Sequence, residues 1–132
     1  MGLPVARQAD QVVAVDIHIV MVPAVAPIPT PLPHPFVGLL DGAFSTSVRA
    51  NGRAVAVVGS TATNQPAHIP TPPGVSFQRP PANQGTVMKG SASVMAGGKP
   101  VARMGDTVKT CNDPADMPVG QIIAAGNVLV AG

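Results

Sequence analysis

The chain has 132 residues, a length that fits one domain and excludes two ordinary ones. It contains 16 Pro and 14 Gly but only three Phe and no Trp or Tyr, which excludes long helices and a large aromatic core. The net charge of +2 comes from scattered residues, with neither a basic cluster nor an aromatic ladder, so we expect no nucleic-acid binding.

The first 28 residues carry neither an export signal nor a membrane span. Residues 1–10 lack the basic-then-apolar pattern of a signal peptide. The apolar run over residues 12–28 is interrupted by Asp16, His18 and two prolines. We therefore expect synthesis as a soluble cytoplasmic chain. In that compartment the single cysteine, Cys111, is expected to be a free thiol or a metal ligand.

One stretch of sequence occurs twice in the middle of the chain. Residues 47–60 align with residues 93–106 at a shift of 46 without a gap. Each copy has Val-containing segments, which favour strands, on either side of a tight turn. The turns are Asn51-Gly52 and Gly97-Gly98, which are typical of type I′ hairpins because both central residues need a positive φ. The sequence therefore predicts two similar β-hairpins in an all-β fold.

A third copy is split between the two ends of the chain. Residues 4–10 match residues 100–106 at a shift of 96 and contain only the second half of the repeat. Residues 128–132 supply the missing first half. We therefore expect the N- and C-terminal strands to pair, which gives three similar hairpins with pseudo-threefold symmetry. A single chain of this kind can sit on the axis of a homotrimer and offer each subunit a similar surface.

Each copy is followed by one candidate metal ligand. His18 and His68 lie eight residues after the ends of their copies, and Cys111 lies five residues after the end of its copy. His34, in the long connection after the first copy, completes the set. Three imidazoles and one thiolate suit a closed tetrahedral zinc site, and iron is a substitute on ligand chemistry alone. Such a site would tie distant loops together in a domain with a small core.

Each of these four side chains also has a simpler interpretation when it is taken singly. The three histidines are compatible with exposed positions on a strand or in loops, and Cys111 is compatible with an ordinary buried thiol. Their equivalent placement after the three copies favours one shared metal site over four separate explanations.

Two proline-rich segments, residues 22–35 and 66–81, follow the first two copies. Alternate prolines fix an extended, polyproline-like path. Recognition by domains that bind PxxP motifs is one interpretation. We favour rigid loops, which lose little entropy on ordering and can position His34 and stiffen a tip. Asp113 and Asp116 are interpreted as turn residues and not as a catalytic carboxylate pair.

Two of the copies contain Pro4-Val5-Ala6-Arg7 and Pro100-Val101-Ala102-Arg103. These segments resemble the Pro-Ala-Ala-Arg signature of the PAAR-repeat proteins, and the segment from Gly105-Asp106 to Cys111 is similar to the family's cysteine-containing zinc segment. The chain departs from the family pattern at Val5 and Val101, which replace the first Ala. Residues 54–57 have lost both Pro and Arg, Ala9 stands in place of Gly, and Ser60 stands in place of Asp.

The resemblance implies a small conical PAAR-like domain over residues 1–132, with three pseudo-threefold β-hairpins, proline-rich loops and no toxin extension. It implies a zinc-stabilised tip that caps a trimeric VgrG-like spike, with one tip per trimer, in type VI secretion or a phage-like contractile injection system. Such a tip assembles in the cytoplasm, is exported on the spike and contacts the target membrane transiently while piercing the envelope. Effector cargo is a further partner that the family allows.

Two other functions stay open at this stage. An adaptor that recruits an effector to the spike needs no metal, so substitution of its histidines would leave the fold intact. A small zinc hydrolase needs an open coordination position, which four protein ligands would fill. The chain also contains no Glu and no HExxH motif. We therefore expect a structural and binding protein and no enzyme.

Overall fold

The fold is built from strands, as the Val-rich sequence with its frequent Pro and Gly predicts. The computed structural model describes residues 2–132, so Met1 of the predicted domain 1–132 lies outside it. Within the described residues there is no helix that could cross a membrane. The strands are β1 (Gly2–Pro4), β2 (Gln11–Val22), β3 (Ile28–Gly42), β4 (Arg49–Ala50), β5 (Arg53–Ala54), β6 (Thr61–Asn64), β7 (Ser76–Phe77), β8 (Gln84–Val87), β9 (Met95–Ala96), β10 (Lys99–Pro100), β11 (Thr107–Thr110), β12 (Met117–Ile123) and β13 (Leu129–Ala131).

The three predicted hairpins are present. Strand β4 pairs with β5 and β9 pairs with β10, both antiparallel. Their turns have positive φ at both central residues, 52° and 80° at Asn51-Gly52 and 59° and 80° at Gly97-Gly98, as type I′ geometry requires. Strand β1 pairs with β13, with Leu3 opposite Val130, so the chain ends form the third hairpin.

A ring of backbone hydrogen bonds joins the three copies around a pseudo-threefold axis. Ala6 N donates to Ala102 O (2.9 Å), Ala102 N donates to Ala56 O (3.0 Å), and Ala56 N donates to Ala6 O (2.9 Å). All three alanines are completely buried. Because each copy donates to the next in a closed cycle, the predicted pseudo-threefold arrangement of the hairpins is confirmed.

Each copy ends in the same capped turn. In the split copy and in the copy over residues 93–106, the backbone N–H of the Arg donates to a carboxylate oxygen three residues later, from Arg7 to Asp10 and from Arg103 to Asp106, each over 2.8 Å. In the second copy Val57 N donates to the hydroxyl of Ser60 over 2.9 Å. The turns direct β2, β6 and β11 away from the hairpins in equivalent ways.

These three strands enter one closed sheet. Its strand order is β12-β11-β8-β6-β3-β2, and β12 pairs with β2 to complete the circuit. Phe36, Leu40 and Ile122 are the largest apolar side chains enclosed by it. The rest of the core is mainly Val and Ala, as the composition predicts. A core of such small side chains buries little apolar area for each residue.

The first proline-rich segment follows the extended path that its alternate prolines predict, and it does so as a paired strand. Strands β2 and β3 form the longest ladder of the fold, in register from Gln11 opposite Leu39 to Val22 opposite Ile28. The second segment, residues 66–81, is mostly irregular and contributes the two-residue strand β7, which pairs with the outer edge of β2. Both segments therefore border the end of the sheet where the predicted ligands lie.

Candidate metal centre

Four buried side chains with metal-binding atoms converge inside one end of the closed sheet. Asp16 and His18 lie two residues apart on β2 and therefore point to the same face. His68 lies in the loop after β6, and Cys111 immediately follows β11. Their ligand atoms all lie within 4.8 Å of one another. The structure thus brings together three of the four predicted ligands and adds Asp16, which the sequence interpretation had missed.

His34 lies beside this group on β3, opposite Asp16 in the ladder. Its ring centroid is 5.5 Å from that of His18 and 5.6 Å from that of His68. Both of its nitrogens have partners, because Nδ1 donates to Leu32 O (2.8 Å) and Nε2 accepts from Thr71 N (3.1 Å). Burial lowers the pKa of His34 and favours the neutral ring. To bind an ion through Nε2, His34 would have to give up the bond from Thr71.

His18 is the side chain whose hydrogen bonding is least complete. Its ring is 1% exposed, and neither nitrogen has a hydrogen-bond partner among the described residues. Nδ1 lies 3.4 Å from Asp113 Oδ2 without forming a hydrogen bond. Burial lowers the pKa of His18 against the opposing effect of Asp113. A buried, neutral imidazole with a free lone pair is the form that binds a transition metal, so His18 fits a metal site.

Cys111 is a free thiol with 3% exposure. Burial, and then the adjacent Asp16, raise the pKa of this thiol to about 11, while the backbone amides of Asn83 and Gln84 oppose the shift. The metal-free protein therefore keeps the proton on sulfur near neutral pH. A bound cation reverses this preference, because a coordinating thiol is deprotonated outright.

Polar side chains in the loops fix the distance between Cys111 and strand β2. Asn112 Oδ1 accepts from Ile17 N (2.7 Å), and Asp113 Oδ2 accepts from Ile19 N (2.9 Å). Arg79 donates to the other oxygen of Asp113 from Nε (3.1 Å) and Nη2 (2.6 Å). Asp113 therefore does more than form a turn. It connects the loop after β11 to the strand that carries His18.

A second polar network positions His68. Asn83 Oδ1 accepts from His68 N (2.8 Å) and from Asn64 Nδ2 (3.2 Å). Asn64 Oδ1 in turn accepts from Val37 N (2.9 Å) on β3. Two asparagines thus connect the loop of His68 to the sheet, which keeps its side chain 2% exposed beside Asp16.

The centre is closed to solvent. Asp16 is 0% exposed, His34 is 1% exposed and Cys111 is 3% exposed. A nitrogen, sulfur and oxygen donor set of this kind suits Zn²⁺, which accepts imidazole, thiolate and carboxylate ligands together. Because the cluster is surrounded by protein, an ion held here would stabilise the fold and would not present a water molecule to a substrate.

Comparison with known proteins gives a family match. The family model described as PAAR motif matches residues 77–132, which include the copy over residues 93–106, Cys111 and residues 128–132 of the split copy. No curated protein matches the chain, and no solved structure matches it.

Proposed function

The chain is a PAAR-repeat spike-tip protein, and from that premise we propose that it is the metal-stabilised point of a contractile injection spike. In this role it caps a VgrG-like trimer, leaves the cell on the spike and takes part in piercing the target envelope. The observation that carries the proposal is the cyclic hydrogen-bonded arrangement of three hairpins in one chain. A pseudo-threefold object of this kind can make three similar contacts with a threefold spike.

Three equivalent valines support this mode of attachment. Val48 O, Val94 O and Val128 O each accept the bond that closes a hairpin copy, over 3.1, 3.0 and 2.9 Å. Their exposed fractions are 40%, 36% and 39%. Three half-exposed apolar side chains at symmetry-related positions suit the three subunits of one trimer.

Native mass spectrometry of the tip mixed with the spike trimer tests the attachment. We expect one tip bound to three spike subunits, with no second tip added at excess. A tight complex of one tip with one separated spike subunit would contradict the proposal, because it would show that the threefold arrangement is not used.

Single substitutions test whether the three valines are equivalent. Val48→Asp, Val94→Asp and Val128→Asp should each weaken binding to the spike trimer by a similar factor of roughly 10 or more, because each buries an unpaired charge in an equivalent contact. Val25→Asp, in the fully exposed turn between β2 and β3, is the control and should bind like the parent. Loss of binding in only one of the three variants would indicate an asymmetric contact.

We also propose that the buried centre holds one structural zinc ion, with His18, His34, His68 and Cys111 as ligands. His18 supports this because its nitrogens are buried without partners, and Cys111 and His68 lie next to it. His34 is adjacent, and its Nε2 atom would have to exchange the bond from Thr71 N for the ion. Four protein ligands would close the coordination sphere, which fits a structural role and no enzyme activity.

Metal analysis of variants tests the ligand set. The parent should contain one zinc per chain, and His34→Ala and Cys111→Ala should each lose it and melt at a lower temperature. Zinc retained at parental affinity in His34→Ala would refute the four-ligand set and reopen a site with three protein ligands and water. Histidine variants that keep the parental melting temperature would favour the metal-free adaptor.

A further inference from the structure

We propose that Asp16 is a positioning residue of the metal centre, which holds Cys111 and His68 in place and offsets the charge of a divalent ion. This inference rests on the proposed metal site. It concerns a residue on β2 that is completely buried in a run of apolar neighbours. A carboxylate in such a place is costly unless its charge is compensated.

The contacts of Asp16 are made to two of the proposed ligands. Its Oδ2 atom lies 2.9 Å from His68 Nε2 and 3.5 Å from Cys111 Sγ. Both atoms donate to this one oxygen. Asp16 therefore fixes the separation of two side chains that come from different loops, before any ion binds.

The other oxygen of Asp16 is held by the segment that leads to Cys111. Oδ1 accepts from Thr110 Oγ1 and, over 3.4 Å, from Asn112 Nδ2. Thr110 is itself completely buried, so the carboxylate has little freedom to rotate. Outer residues that fix metal ligands in this way typically change metal affinity by a factor of 10–100 when they are removed.

The carboxylate of Asp16 has no arginine or lysine partner among the residues that the structure describes. Among residues 2–132, the only basic side chain within 4.0 Å of it is His68, which is charged only when protonated. With zinc bound, the ion contributes +2, the Cys111 thiolate −1 and Asp16 −1, so the buried centre is neutral. Three histidines and one thiolate alone would leave an unbalanced positive charge in the interior.

Asp16→Asn is the direct test, because the amide keeps the size of the side chain and removes its charge. The readouts are the Zn²⁺ dissociation constant, measured by competition with a chromophoric chelator, and the melting temperature of the chelator-treated protein. We expect zinc affinity to fall about 10–100-fold, with one zinc still bound at saturation. After zinc removal, Asp16→Asn should lower the melting temperature by less than it does in the zinc-bound protein, because the hydrogen bonds to this side chain are present in both states and the charge of the ion in only one. Asp116→Asn, an exposed acid, is the matched control and should keep parental affinity.

A second variant tests the same role in case Asp16→Asn fails to fold. Thr110→Val removes the hydroxyl that holds Asp16 and leaves the charge in place. It should reduce zinc affinity by a smaller factor, roughly 3–10-fold, since only the orientation is loosened. Parental affinity in both variants would overturn the role of Asp16. A metal-free melting temperature that falls as much as the zinc-bound one would overturn it as well, because the role would then be structural. A parent that binds no zinc would refute the metal site itself.

Discussion

At the scale of single residues, the three copies stabilise the same turn with different side chains. In the copy over residues 93–106, Arg103 donates two side-chain hydrogen bonds of 3.0 Å to Asp106. Both charges are buried, and each compensates the other. The second copy has Val57 and Ser60 at these positions, and the Ser60 hydroxyl caps the turn and donates to Ala43 O. Losing the Arg and the Asp together avoids an unpaired buried charge.

Ala9 has a strained backbone conformation, whereas the other two copies have glycine at the equivalent position. Its φ is 73°, and the equivalent positions are Gly59 (97°) and Gly105 (82°). Ala9→Gly should raise the free energy of unfolding by about 0.5–1 kcal/mol, because Gly adopts this conformation without the Cβ penalty. Guanidinium unfolding of the zinc-loaded protein measures the change.

Gly105→Ala is the reciprocal control for this prediction. A Cβ at Gly105 would meet no atom within 4 Å, so the substitution introduces backbone strain without a steric clash. The free energy of unfolding of the variant should fall by about 1 kcal/mol. A loss of stability in Ala9→Gly would show that the added freedom of the unfolded chain outweighs the relief of strain.

The sequence located most of the candidate centre at this scale but missed Asp16. The spacing of His18, His68 and Cys111 after their repeats was sufficient to predict that these three side chains lie close together. Symmetry-related strands direct such positions toward one region. Asp16 follows no repeat rule. The sequence indicates only that Asp16 lies two positions before His18 in an apolar strand, so both side chains point to the same face. Assigning Asp16 to the centre also requires knowing that this face points inward, which the strand pairing shows. The ligand set itself stays a prediction until metal is measured.

At the scale of elements, the alternate prolines of β3 match the period of a β-ladder. Pro29, Pro31, Pro33 and Pro35 are all exposed. Residues of the same parity direct their backbone polar groups away from β2, since Val37 N donates to Asn64 Oδ1 and Pro33 O accepts from Thr71 Oγ1. Every proline in this stretch thus stands where an N–H would face the free edge. The edge has acceptors without donors, which disfavours pairing with a further strand.

Replacing two of these prolines should expose a pairing edge. The double variant Pro29→Ala/Pro31→Ala restores two outward N–H groups and should self-associate with increasing concentration, which sedimentation velocity measures. The control Pro23→Ala/Pro27→Ala removes two exposed prolines outside the strands and should match the parent. A monomeric edge variant at every concentration would show that the prolines serve only to stiffen the strand.

The sequence predicted the hairpins better than it predicted the proline-rich segments. Asn51-Gly52 and Gly97-Gly98 define their turns locally, because the required backbone conformation depends on the two residues alone. The extended path of residues 22–35 was also predictable from the prolines. Its pairing with β2 was not, since prolines usually interrupt a ladder, and the match of their period to the free edge depends on which strand lies alongside.

At the scale of the whole molecule, symmetry and metal compensate for a small core. The ring through Ala6, Ala56 and Ala102 fixes one end, and the core beside it is largely Val and Ala. The loops at the other end contribute polar networks around His18 and Cys111, with little apolar area. We therefore attribute the rigidity of that end to a bound ion, consistent with the use of structural metals in small domains.

The most direct test of this claim is the melting temperature of the purified parent with its zinc bound, after chelation, and after zinc is restored, with metal content measured in each sample. We predict one zinc per chain and a melting temperature that falls by roughly 10 °C or more on chelation and recovers on reloading, because an ion bound only by the folded state stabilises it by mass action. A protein that holds no metal, or that melts at the same temperature with and without zinc, would contradict the account.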